Sequence, residues 1–375
     1  MATPRAGKAQ ESTQIHGFVS QGFIKSTDNN YLGQSERGSF EFTEVGINFT
    51  QQLSERLRAG LQLFARDLGP LGDYRPTFDW FYLDYRFQDW LGLRAGRTKL
   101  PFGLYNETSD VDAARVPILL PQSVYPTENR DFLLAQTGLE LYGTVPIGQS
   151  EIEYRLYGGT IFLSTTTVAD QVDTIDVPYL AGGRLAWHTP VEGLQLAGSL
   201  QTLRIDFDYT PTAEENAQYE QRGWLPPDYT GTLEFELPAT LWAASIEYAA
   251  DELLLAAEYS RWYTELRTTL VATSDLSVTD DRMYVLGSYR VRPWFTPGMY
   301  YSLWLPHNDD RKGGDAYQHD LAMTFRFDLN EHWLFKLESH FLHGTAALGS
   351  ELNPVPRDQL KEDWVVFMAK TTAYF

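Results

Sequence analysis

Charge in this chain recurs inside apolar segments, not only beside them. In residues 56–66, Arg56, Arg58 and Arg66 share one face with Gly60, Gln62 and Phe64, while Leu57, Ala59, Leu61, Leu63 and Ala65 share the other. In 78–87, Trp80, Tyr82, Asp84 and Arg86 alternate with Phe81, Leu83, Tyr85 and Phe87. Arg94 repeats the pattern in 91–98, and Glu140, Arg155, Arg184, Glu247, Glu258, Arg326, Lys336 and Glu338 stand mid-segment further on. A second set, Glu107, Asp110, Asp112, Arg115, Glu128, Arg130 and Asp131, is gathered in the single stretch 99–136. Clustered charges with no activated nucleophile among them act on ions through their field.

Bond-breaking chemistry finds little footing. The chain has no cysteine, so thiolate metal sites, disulfides and cysteine nucleophiles are excluded. No G-x-S-x-G, no H-E-x-x-H and no phosphate-cradling glycine loop appears. The seven histidines fall mostly at segment ends or in loops, and His340 and His343 lie on opposite faces of one segment. Residues 307–320 are acidic and glycine-bearing but lack the calcium-loop spacing. The reading is therefore of a non-enzyme with no metal and no cofactor. A net charge of −20 argues against a nucleic-acid partner.

These charges must be positioned by strands. Side chains alternate with a period of two over about 16 segments, each near the 9–11 residues with which a tilted strand crosses a bilayer. Their connections also alternate. Tight turns at 53–55, 88–89, 148–150, 190–193, 251–252, 292–293 and 330–331 are interleaved with long polar loops. An outer-membrane barrel does this, with short turns on the periplasmic side and long loops outside. Closure satisfies every backbone group between strands, so lipid can face the apolar side. A water-filled lumen would then spare mid-strand charges the several kcal/mol, roughly, that a dry core imposes on each. Trp80, Trp90, Trp187, Trp242, Trp262, Trp294, Trp333 and Trp364 fall near strand ends and are expected in aromatic girdles.

The expected fold is thus all-β, a 16-stranded antiparallel transmembrane barrel over residues 15–375 as one domain. Residues 1–14 carry no apolar signal core and read as a disordered mature N-terminus whose export signal has been removed. The stretch 99–136 follows the fifth strand. Pro101, Pro117, Pro121 and Pro126 bar it from being a central strand, and Phe102, Leu104, Val116, Ile118, Leu119, Leu120, Phe132, Leu133 and Leu134 argue that it is ordered and packed inside something. Pro101 and Gly103 are expected to shape its start.

The last strand, WVVFMAKTTAYF, is amphipathic and ends on Phe375. It resembles the assembly signal of Gram-negative outer-membrane proteins. With this ending, the strand count and the long fifth connection, residues 15–375 resemble the 16-stranded porins. GRTKLPFGLYNE (96–107) resembles the matching passage of the phosphate-selective porin group, although only seven lysines and an acidic balance depart from that group. The resemblance implies a passive diffusion channel for ions and small hydrophilic solutes in the outer membrane of a Gram-negative bacterium. It implies a constriction made by the loop, whose acidic residues face a basic wall of Arg56, Arg58, Arg66, Arg86 and Arg94, with Trp80 and Tyr82 beside them. It also implies a homotrimer, contact with lipid and lipopolysaccharide, and recognition by barrel-assembly machinery through the strand ending in Phe375. Two alternatives stay open. One is a channel selective for sugars or organic anions, with Trp80, Tyr82, Tyr142, Tyr157 and Trp304 as a stacking track. The other is a structural or adhesion barrel plugged by the loop.

Overall fold

The structure, a computed structural model, describes residues 13–163, 172–227, 229, 231–268, 276–306 and 312–375. Sixteen strands close into one antiparallel barrel, each paired with its neighbours in sequence and the first with the last. They are β1 (Thr13–Ser26), β2 (Phe42–Gln52), β3 (Leu57–Leu68), β4 (Thr77–Gln88), β5 (Leu91–Lys99), β6 (Ala135–Ile147), β7 (Ser150–Thr160) and β8 (Val172–His188). The second half comprises β9 (Leu194–Tyr209), β10 (Leu233–Ala250), β11 (Leu253–Thr268), β12 (Leu276–Tyr289), β13 (Phe295–Leu305), β14 (Gln318–Asn330), β15 (Trp333–Gly344) and β16 (Asp363–Tyr374). Among the described residues, two short α-helices interrupt the loops, α1 (Arg130–Leu133) and α2 (Ala213–Gln221).

The two-residue period sorts side chains to two faces. Outward lie exposed apolar residues such as Phe81, Leu83, Leu139, Leu141, Leu185 and Leu200. Inward lie Gln62, Asp84, Glu140, Arg155, Glu258, Lys336 and Glu338, all buried. Closure is completed at the last residue. Phe375 N–H donates to the Gly17 carbonyl at 3.0 Å, and Gly17 N–H returns to the Phe375 carbonyl at 3.1 Å.

Elements differ from the sequence reading in several places, β12 among them, which starts early at Leu276. β1 starts at Thr13, ahead of Ile15, and residues 1–12 lie outside the described residues. β8 starts at Val172, not at Tyr179, and runs through Pro178, which register shifts between Val172 and Thr174 and between Asp176 and Tyr179 absorb. α2 stands where only a polar loop was expected. It is opened by a capping box in which Thr212 Oγ1 accepts from Glu215 N–H, and the Glu215 carboxylate accepts from Thr212 N–H.

The tryptophans also divide. Trp90, Trp187, Trp294 and Trp333 are exposed at the tight-turn end, as a girdle requires. Trp80, Trp262 and Trp364 do not belong to such a girdle. Trp80 pairs in register with the buried, inward Gln62. Trp262 carries the Arg282 guanidinium against its ring, and Trp364 is buried edge-on against Tyr31.

Candidate functional site

Among the described residues, the connection between β5 and β6, residues 100–134, holds the largest share of buried loop residues. Leu100, Phe102, Ile118, Leu119, Leu120, Val124, Tyr125, Leu133 and Leu134 are all under 7% exposed. Its partners are inward side chains of the strands. Gly103 turns the chain at φ +64, where a side chain would be strained, and an added Cβ would stand 2.5 Å from Tyr125 Oη and 2.8 Å from Glu258 Oε1. Gly103 N–H donates to Ser199 Oγ on β9 at 3.1 Å, and its carbonyl accepts from Arg184 Nε on β8 at 3.2 Å. Leu104 N–H donates to Glu258 Oε1 on β11 at 2.9 Å. The same buried carboxylate accepts from Tyr284 Oη at 2.6 Å and from the hydroxyls of Tyr125 and Ser245.

Further along, the loop crosses to other strands. Glu107 takes both terminal nitrogens of Arg155 on β7, each at 2.9 Å. Asp110 accepts from Gln62 Nε2 on β3 at 2.6 Å and pairs with Lys99 at the end of β5. Asp112 accepts from Lys336 Nζ on β15 at 2.9 Å and from Thr372 Oγ1 on β16 at 2.6 Å, with Lys370 Nζ 3.5 Å away. Lys336 is fully buried, and its ammonium also donates to the carbonyls of Asp112, Arg115 and Pro117. Glu338 on β15 accepts the N–H groups of Ile118 at 2.7 Å and Leu119 at 2.9 Å. Arg282 Nη1 on β12 donates to the Ser123 carbonyl at 2.9 Å. Arg130 donates to Asp79 on β4 at 2.5 Å. Asp79 is the extra residue of a β-bulge, since Gln62 pairs with Trp80 and Leu63 with Phe78.

The loop carboxylates therefore meet cations, but not the arginines of β3–β5 that were expected. Two of those arginines, Arg58 and Arg94, are taken by the wall itself. Arg58 Nη2 and Arg94 Nε both donate to Asp84 Oδ2, at 2.8 and 3.3 Å. Arg94 Nη1 continues to Glu140 Oε1 at 2.9 Å, and Arg155 Nε donates to the same oxygen at 3.0 Å. The result is a ladder of alternating charge from β3 to β7 that ends on the loop at Glu107. Arg56 is not on β3 but in the turn before it, where its carbonyl accepts Arg86 N–H at 2.9 Å. Arg86 is exposed, with Asp89 3.9 Å away. Arg66 alone of this set reaches the loop, donating to the Thr127 carbonyl at 3.5 Å. Trp80 and Tyr82 stack with centroids 5.4 Å apart, and Arg94 lies 5.6 Å from the Tyr82 centroid.

Burial opposes the charge on Asp110, but Lys99 and Arg130 overcome it and hold this carboxyl down at about 2. Burial likewise opposes the charge on Asp112, and Lys336, Lys370 and Arg115 hold it well below the carboxylate range. Arg115 Nε lies 3.7 Å from Asp112, within the loop itself. Burial, with Glu351 nearby, pushes the Glu128 carboxyl up. The Asp131 side chain and residues 307–311 of the acidic 307–320 segment lie outside the described residues. Sequence reasoning had marked Arg155, Glu258, Lys336 and Glu338 as mid-strand charges without joining them to the loop, and Lys99 and Lys370 were not singled out. Inward parity was the available signal. Which loop residue meets which strand depends on the loop's path across the lumen, which no local pattern encodes.

Space remains on both sides of the loop. A cavity of about 380 Å³ lies toward the tight-turn end, lined by Tyr105, Arg115, Leu254, Arg290 and Arg326 among others. A second, of about 200 Å³, lies against β9–β11.

No protein-family model and no curated protein sequence matches the chain. Solved structures do. The anion-selective porin from Comamonas acidovorans is 13% identical, with a TM-score of 0.60 over 98% of this chain and 100% of that one. OmpT, an outer-membrane protein of Vibrio cholerae, is 10% identical, with a TM-score of 0.60 over 99% of both chains. The outer-membrane channel DcaP of Acinetobacter baumannii is 11% identical, with a TM-score of 0.59 over 98% of both. At these identities the likeness is one of architecture: the chain has the closed 16-stranded barrel fold of the outer-membrane porins.

Proposed function

We propose that the chain is an outer-membrane porin, a passive channel for ions and small hydrophilic solutes whose lumen is narrowed by residues 100–134. The observation that carries this reading is the loop's attachment to inward side chains of opposite walls, in a barrel whose outer face is apolar. A span fixed at several points keeps a constant bore, which selection by size and field requires. The constricting residues are Glu107, Asp110, Asp112, Arg115 and Arg130 on the loop, with Arg58, Tyr82, Asp84, Arg94, Glu140 and Arg155 on the wall. Nothing in this constellation activates a nucleophile, so we read it as non-enzymatic. The Vibrio cholerae OmpT has been solved in a trimer form, and we extend a homotrimer to this chain. Its apolar exterior and Phe375 suit insertion into lipid and assembly from the C-terminal strand.

A second reading is a barrel plugged for a structural role. It is favoured by the reach of the loop, which bonds to side chains from β3 and β4 and from every strand between β7 and β16. Planar-bilayer recording separates the two. The channel reading expects ohmic current from the intact chain, and a several-fold larger conductance when residues 110–126 are replaced by a short Gly-Ser linker. Absence of current in the intact chain with current in the linker variant would establish the plug. Equal conductance in both would place the loop clear of the conduction path.

A further inference from the structure

The inner wall of β9–β11 is largely apolar around Leu203, Leu241 and Ala243. Ile205 and Leu237 are register partners, and Leu241 lies between Gln201 on one side and Trp262 on the other. Part of this apolar wall is sealed by Leu100, Phe102 and Leu133 of the loop. The remainder is not sealed, and Phe132 faces it across the 200 Å³ cavity. One lining residue is polar and fully buried. Gln201 is 0% exposed, and its Oε1 accepts from Tyr157 Oη at 3.0 Å. Its Nε2 has no hydrogen-bond partner among the described residues. An unfilled apolar wall with one unmet donor is how a small-molecule site is built.

We propose that this cavity binds a small uncharged ring compound carrying a carbonyl oxygen. The ring would lie among Trp262, Leu241 and Phe132, and the carbonyl would accept from Gln201 Nε2. Size fits, because an apolar cavity of about 150 Å³ holds benzene. Charge also fits. Arg282 lies with its guanidinium carbon 3.7 Å from the Trp262 centroid; its Nη2 is on Asp280 at 2.8 Å and its Nη1 on the Ser123 carbonyl, while its Nε has no hydrogen-bond partner among the described residues. The charge of Arg282 is thus met by Asp280, and a neutral solute suits the site. The site deepens the channel reading, since a solute held on this wall is one that the lumen would carry.

Fluorine NMR of 4-fluoroacetophenone with the full-length protein in detergent micelles tests the site without relying on current. The intact protein should bind the ketone saturably. Ala239→Trp, which fills the cavity from β10, should weaken binding at least tenfold. Gln201→Leu, which keeps the volume and removes the donor, should weaken the ketone about tenfold while leaving 4-fluorotoluene unchanged. If Ala239→Trp fails to fold, Gln201→Leu decides alone. Equal ketone binding in intact and altered proteins overturns the site, as does tighter binding of 4-fluorobenzoate than of the ketone. A protein that binds but passes no current sinks the channel reading alone, and one that conducts but does not bind sinks this proposal alone.

Discussion

Asp112 is a loop residue on which two wall strands, β15 and β16, converge. It joins Lys336, Thr372 and its own neighbour Arg115. Removing one member of a buried ion pair costs about 3–5 kcal/mol, because the other charge is left without a counterpart in a site that excludes water. Lys336 keeps carbonyl acceptors, so the lower end of that range applies to Asp112→Asn. The barrel's backbone ladder does not pass through Asp112, and the loss should be local. Tryptic cleavage at Arg115 should therefore become at least about tenfold faster in Asp112→Asn, with the folded barrel unchanged. An unchanged rate would show that the pair does not hold the loop. The pH dependence follows from depressed carboxyl pKa values. A carboxyl held at about 2 in the folded state, against about 3.9 unfolded, contributes its full stabilisation above the unfolded value. That contribution is lost as pH falls toward the folded value, and Asp112, held lower still, is lost later. The loop should thus resist pepsin at pH 4 and yield as pH falls to 2. Release of the loop near pH 5 or 6 would contradict these pairings.

Among the elements, the strands were legible wherever lipid constrains them. A strand in a bilayer must place apolar residues at every second position, so β3 and β4 could be read residue by residue. The constraint ends where a strand leaves the bilayer. Residues 276–282 of β12 (LSVTDDR) break the alternation, and only the part from Met283 onward was readable. The path of the loop was not legible either, because Asp112 and its partners Lys336 and Lys370 lie more than 200 positions apart in sequence. α2 was legible in principle, as Thr212 and Glu215 form the T-x-x-E signature, but the surrounding prolines and carboxylates suggested a plain loop. Its stability rests on that cap, since the helix buries none of its residues. Thr212→Ala should cost about 1 kcal/mol locally, seen as roughly fivefold faster amide exchange across residues 213–221 with the strands unaffected. Exchange as slow as in the unaltered protein would mean that packing of Tyr219 on Trp224 holds the helix instead.

For the whole molecule, the deciding quantity is the charge left over after internal pairing. The chain carries 50 carboxylates against 30 cationic side chains. The lumen-wall arginines that could draw anions are compensated one by one, Arg58 and Arg94 by Asp84, and Arg94 and Arg155 by Glu140. Glu107, about a third exposed, adds a further carboxylate to Arg155. What remains to act at a distance is the acidic excess. A fixed negative excess around a water-filled passage raises the local concentration of cations. It does so only within a Debye length, about 10 Å at 0.1 M salt and about 3 Å at 1 M. Reversal potentials across a potassium chloride gradient should therefore show a weak cation preference in dilute salt that fades in concentrated salt. Glu107→Gln should reduce that preference without abolishing conductance, because Glu140 still holds Arg155. An anion preference in the unaltered protein would mean that the wall arginines act on the passage despite their partners, and that the overall charge does not govern selectivity.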